Sequence, residues 1–96
     1  MEIFMIELIN DLWVKAETLN YTLLLDTKTV NKEGEVIYKP LAYVSTLEQA
    51  VRTARDYSIK NKLSKGKRDL PQAVQEIKQI DKEFAQLLAK VLESTL

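Results

Sequence analysis

VIYKPLAYVSTLEQA, residues 36–50, is where the chain changes period. As far as Val44 it is rich in β-branched and aromatic residues, with Pro40 among them. From Leu47 onward apolar residues recur three and four positions apart. Side chains alternate with a period of two along a strand and 3.6 along a helix, so a sheet hands over to a helix here. At the junction Ser45-Thr46-Leu47-Glu48 fits a capping box, Ser45 accepting from the Glu48 amide while Glu48 reaches back. The chain therefore reads as α+β.

Working toward the N-terminus, NKEGE (31–35) is a hairpin connection, with Gly34 free to take the positive φ such loops need. Pro40 lacks a donor N–H, which puts the return strand at a sheet edge or breaks it with a bulge. YTLLLDTKTV (21–30) is the partner strand. Its first half is apolar on both faces and its second half polar, so it starts in the core and runs out toward solvent. Asn20 offers a turn, and LWVKAE (12–17), after an Asn10-Asp11 turn, reads as a further strand. Ile6–Ile9 either extends that strand or forms a separate short one. The expectation is an antiparallel meander of about three strands over residues 6–44.

Toward the C-terminus, Leu47, Ala50, Val51, Ala54, Tyr57 and Ser58 predict a helix over about 46–63. Gly66 helps to end it. Asp69 caps a second helix over about 70–93, with Pro71 in the first turn, where its missing N–H does no harm. That helix is on the order of 35 Å long, more than a small meander covers. Ile77, Ile80, Phe84, Leu87 and Val91 on its apolar stripe are expected in the core or in a self-association face, since the stripe steps like a heptad seam. Both helices should pack on the meander, in a single domain spanning 1–96.

Bulk properties narrow the function. The 96 residues include no cysteine and no histidine, so disulfides, thiolate metal sites and histidine-based triads are out of reach. No catalytic or metal-ligating residues and no cofactor are expected. The apolar runs are too short for a membrane span, and Glu2 and Glu7 stand where an export signal would carry positive charge. Met1–Phe4 add little pattern, which leaves Met5 as an alternative start.

The net charge of zero hides a segregation. Residues 1–51 hold four basic and eight acidic groups, whereas residues 52–68 hold seven basic groups and only one acid, Asp56. Arg52, Arg55, Lys60, Lys62, Lys65, Lys67 and Arg68 are the candidate contacts to an anionic partner, nucleic acid or an acidic protein surface. Nucleic-acid affinity rests largely on phosphate neutralisation, and Gly66 would let backbone N–H groups come close to a phosphate. The plainer alternative is a solvated helix corner whose cations complement the macrodipole. Two weaker candidates complete the set. Trp13, Tyr21, Tyr38, Tyr43 and Tyr57 would stack on unpaired bases if several shared an exposed face. Asp26, Glu33 and Glu35 crowd the hairpin end without a metal-loop spacing or a partner base.

YTLLLDTKTV, the charged loop after it, VIYKPLAYVSTLEQA, the Arg/Lys-rich helix and DLPQAVQEIKQIDKEFAQLL together resemble a family of short phage and prophage proteins of Gram-positive bacteria, mostly domains of unknown function. The resemblance runs from Met5 through nearly all of the chain and is most specific at YVSTLEQA, Tyr43–Ala50. Many relatives carry a glycine before that aromatic, where this chain has Ala42. The resemblance brings no catalytic residues. It implies the cytoplasm of an infected or lysogenic bacterium and a small accessory role in DNA metabolism, regulation or counter-defence. The expected function is thus non-enzymatic binding, of nucleic acid or a nucleic-acid-processing complex through the basic helix end. The alternative is an inhibitor of a host defence protein, of the anti-CRISPR or another anti-defence type. A homodimer through the second helix is a further expectation.

Overall fold

The computed structural model describes residues 4–94; Glu2 and the residues before Met5, apart from Phe4, lie outside that range. The fold is α+β. Strands β1 (Phe4–Glu7), β2 (Leu12–Ala16), β3 (Tyr21–Val30) and β4 (Val36–Val44) precede helices α1 (Leu47–Leu63) and α2 (Leu70–Ser94). The chain divides into two compact units, Met1–Ala50 and Val51–Leu96.

The first unit is one antiparallel sheet in the order β1-β2-β3-β4. Four strands stand where about three were expected, because the N-terminal segment is a separate strand. Asn10 and Asp11 adopt φ of 56° and 65°, and Leu12 N donates to Ile9 O at 3.1 Å. Positive φ at both central residues is the mark of a type I′ turn, whose twist suits a hairpin. It folds β1 back onto β2, pairing Ile6 with Val14.

The core of this unit follows from the register. Val14 lies opposite Leu23 and Leu12 opposite Leu25, and Leu12, Val14 and Leu23 are fully buried. Thr22 and Leu24, on the other face of β3, are buried as well. The strand loses that cover along its length, and Lys28, Thr29 and Val30 are exposed. It therefore runs outward as its composition predicts. Pro40 satisfies both of its expectations. β4 is an edge strand, and the register slips beside it, Leu23 pairing with Ala42 but Leu24 with Pro40.

The helix starts obey the capping logic, with one correction. Ala50 N donates to Thr46 O, which makes Thr46, and not Ser45, the N-cap. Thr46 Oγ1 accepts from Gln49 N at 3.1 Å, and Gln49 Oε1 accepts from Ser45 N at 2.9 Å. The side-chain cap has moved one residue along, and the return bond, made by a glutamine instead of the neighbouring glutamate, reaches the amide just before the N-cap. At α2, Asp69 Oδ1 accepts from Gln72 N at 2.9 Å, as expected of the cap.

The second unit holds most of α1 and all of α2. Arg55 of α1 bonds Asp81 of α2, while Val51 and Arg52 line the same groove as Phe84, Ala85 and Leu88. Earlier residues of one helix thus meet later residues of the other, an antiparallel helix pair. Val51, Ala54, Ile80 and Phe84 are buried in this unit. Ile77, Leu87 and Val91 are only half-buried.

Candidate functional site

The end of α1 shows why the basic segment takes its shape. The last carbonyls of a helix lack intrahelical donors and need partners from elsewhere. Ser64 N donates to Lys60 O at 3.0 Å, and Ser64 Oγ donates to Asn61 O at 2.8 Å. The Arg68 guanidinium turns back over the helix end, giving NH1 to Leu63 O at 2.9 Å and NH2 to Lys62 O at 3.1 Å. Its Nε lies 2.6 Å from Glu76 Oε2 on α2. Gly66, at φ 116°, takes the backbone conformation that lets the chain double back so tightly; residues with a Cβ rarely adopt it.

Arg68 is therefore a clamp between α1 and α2, and its side chain is only 15 % exposed. Arg68→Ala should cost about 2–3 kcal/mol, since it removes charge-assisted bonds to two carbonyls and strands the Glu76 carboxylate. The check is a urea unfolding midpoint. Arg68→Lys should recover only part of the loss, because an ammonium cannot reproduce the planar fork.

Arg55 is likewise committed. It bonds Asp81 and lies 3.1 Å from Asp56. The hydrogen bond to Asp81 is the largest influence holding its guanidinium above the ordinary arginine range. Of the seven sequence-predicted cations, Arg55 and Arg68 are thus partly buried and tied to carboxylates. Arg52 is exposed on α1.

The four lysines differ from these arginines. Lys60, Lys62, Lys65 and Lys67 are all exposed, and none of them forms an ion pair among the described residues. Lys60 and Lys62 sit on the last turn of α1, where the helix's negative end favours them. Lys65 and Lys67 flank Gly66 in the connection. Their charges are left to solvent or to a partner.

The other two candidates lie in the sheet, on α1 and at the β3–β4 hairpin. Trp13 and Tyr38 meet edge to face, with ring centroids 6.2 Å apart, each on a residue half-buried in the sheet. By register Tyr43 lies on the same face as this pair and is 69 % exposed. Tyr21 lies on the opposite face, and Tyr57 sits on α1. The sheet therefore brings three of the five aromatics to one face. Asp26 is taken up by Lys28, whose backbone N donates to Asp26 Oδ1 at 2.8 Å. The Lys28 ammonium also sits 2.8 Å from Asp11, and this hydrogen bond raises its pKa above the ordinary lysine value. Glu33 and Glu35 are exposed, their amides both donating to Asn31 Oδ1. Among the described residues no three acidic groups gather where they would hold a metal ion, and no helix is long and apolar enough to cross a membrane.

No protein-family model matches the chain, and neither curated proteins nor solved structures yield a match.

Proposed function

We propose that the protein is a non-enzymatic accessory protein that binds nucleic acid electrostatically at the α1–α2 corner. The observation that carries this reading is the set of four exposed lysines, Lys60, Lys62, Lys65 and Lys67, within eight residues of chain, none in an ion pair among the described residues. A polyanion with regularly spaced phosphates would neutralise them together, releasing counterions from its own atmosphere. The lysines are point charges on flexible stems, and two of the segment's three arginines, Arg55 and Arg68, whose planar forks could read a base edge, are already engaged within the fold. Binding would accordingly follow the backbone and discriminate little between sequences. A phage or prophage setting, in the bacterial cytoplasm, is the context that the resemblance of YVSTLEQA and its flanks supports.

The test is a titration of labelled duplex and single-stranded oligonucleotides across a salt series. Four neutralised phosphates give a slope of log K against log salt of about −3 to −4, with little change between unrelated sequences. Absence of binding at low salt to either form of DNA and to RNA would overturn the proposal. The same lysines would then be tested against an acidic protein surface, the contact an inhibitor of a host defence protein would use.

A further inference from the structure

On α2 the expected seam and the exposed apolar surface are not the same face. Ile80 and Phe84 are buried, so the expected seam of Ile77, Ile80, Phe84, Leu87 and Val91 serves largely as core. Beside it runs a second flank, centred on Asp81. Ile77 and Ala85 stand four residues from Asp81 on either side, Val74 and Leu88 seven, and Leu70 and Leu92 eleven. Such offsets keep residues on one side of a helix. Leu70 is 75 % exposed, Val74 and Leu92 are exposed, and so is Ala85.

The pattern is the same read in either direction: apolar groups at matched distances from one central carboxylate. A two-fold axis through Asp81 would lay α2 antiparallel on α2 of a second copy, so that each residue meets the one at the opposite offset. Ile77 would then face Ala85 of the other copy, a large side chain opposite a small one. Val74 would face Leu88. A groove of about 340 Å³ lies where this requires one, between α1 and α2 and lined by Val51, Arg52, Arg55, Phe84 and Ala85 among others. It can receive the Ile77 side chain of the second copy.

Charge completes the match. Two Asp81 carboxylates near the axis would repel each other, but each already carries Arg55 of its own chain. Pairing the copies brings two acids and two guanidiniums into one alternating network. Ion pairs of this kind, set within an apolar seam, are best attested as devices that fix register. We infer that the Asp81-centred flank of α2 is a symmetric, antiparallel self-association face, with the Arg55–Asp81 pair setting its register.

The chain has no cysteine, which permits a direct test. Introduced together, Ile77→Cys and Ala85→Cys lie too far apart on one helix to bond within a chain. In the antiparallel dimer each faces the other across the interface. Under mild oxidation the double variant should run as a covalent dimer on a denaturing gel, while each single variant stays monomeric. The unmodified protein should sediment at twice the monomer mass at micromolar concentration. Ala85→Glu, a change at an exposed position, should return it to monomer with an unchanged circular dichroism spectrum. A parent that sediments as a monomer throughout, an Ala85→Glu protein that remains dimeric, or single-cysteine variants that cross-link as well as the double one would overturn the inference. None of these measurements involves nucleic acid, so they stand apart from the lysine proposal.

Discussion

Phe84→Ala is expected to lower the stability of the fold by about 3–5 kcal/mol. Phe84 is 1 % exposed and is among the largest fully buried side chains. Alanine is the better helix former, so backbone propensity opposes the loss and the whole cost arises from the missing ring. That cost combines lost transfer energy with the cavity left behind, because neighbours in a close-packed interior relax only in part. A domain of this size is held by roughly 5–15 kcal/mol in all, so the variant would sit near the edge of folding. The urea midpoint should fall sharply with its m-value unchanged. Leu87, half-buried on the same helix, provides the control, and Leu87→Ala should shift the midpoint much less. An unchanged midpoint for Phe84→Ala would remove the residue from the core.

The order of elements was legible because it depends on local periodicity. The change at Val44–Leu47, the Asp69 cap, the Gly34 turn and the compromise at Pro40 are each written within a few residues. Two features were less so. Glu48 and Gln49 can both complete a capping box, and only the first backbone hydrogen bond of α1 decides between them. The partition of the cations was hidden for a different reason. Nothing in the spacing pairs Arg55 with Asp81, which lies 26 residues further on, or curls Arg68 back onto Leu63 O. Arginine and lysine look alike in a count of charge, yet in this segment the fold uses two of the three guanidiniums, those of Arg55 and Arg68, as internal clamps and leaves the four ammoniums exposed. The second apolar flank of α2 was visible in the spacing but merged with the first, since a broad stripe does not reveal which of its edges the core will cover.

The same partition sharpens what charge reversal should do. Changing Lys62, Lys65 and Lys67 to glutamate should abolish nucleic-acid binding, because three phosphate contacts are lost and three repulsions replace them. The fold should survive. All three side chains are exposed and form no ion pair among the described residues, and substitutions at such positions usually stay within about ±0.5 kcal/mol. Lys62 needs the most care, since an acid in the last turn of α1 opposes the helix macrodipole by about 0.3–1 kcal/mol. Arg68 must be left in place, for its removal would weaken the fold and confuse the readout. If α2 pairs with a second copy about Asp81, the two Leu70 residues, with the lysine loops just before them, stand about 33 Å apart along the helices. That is close to one turn of B-form duplex, about 34 Å. A duplex spanning both loops would then bind more tightly than one too short to reach the second, and the triple variant would lose both contacts together. A triple variant that binds as well as the parent would show that the lysines are a solvated corner. A parent whose affinity is indifferent to duplex length would show that the two loops act singly.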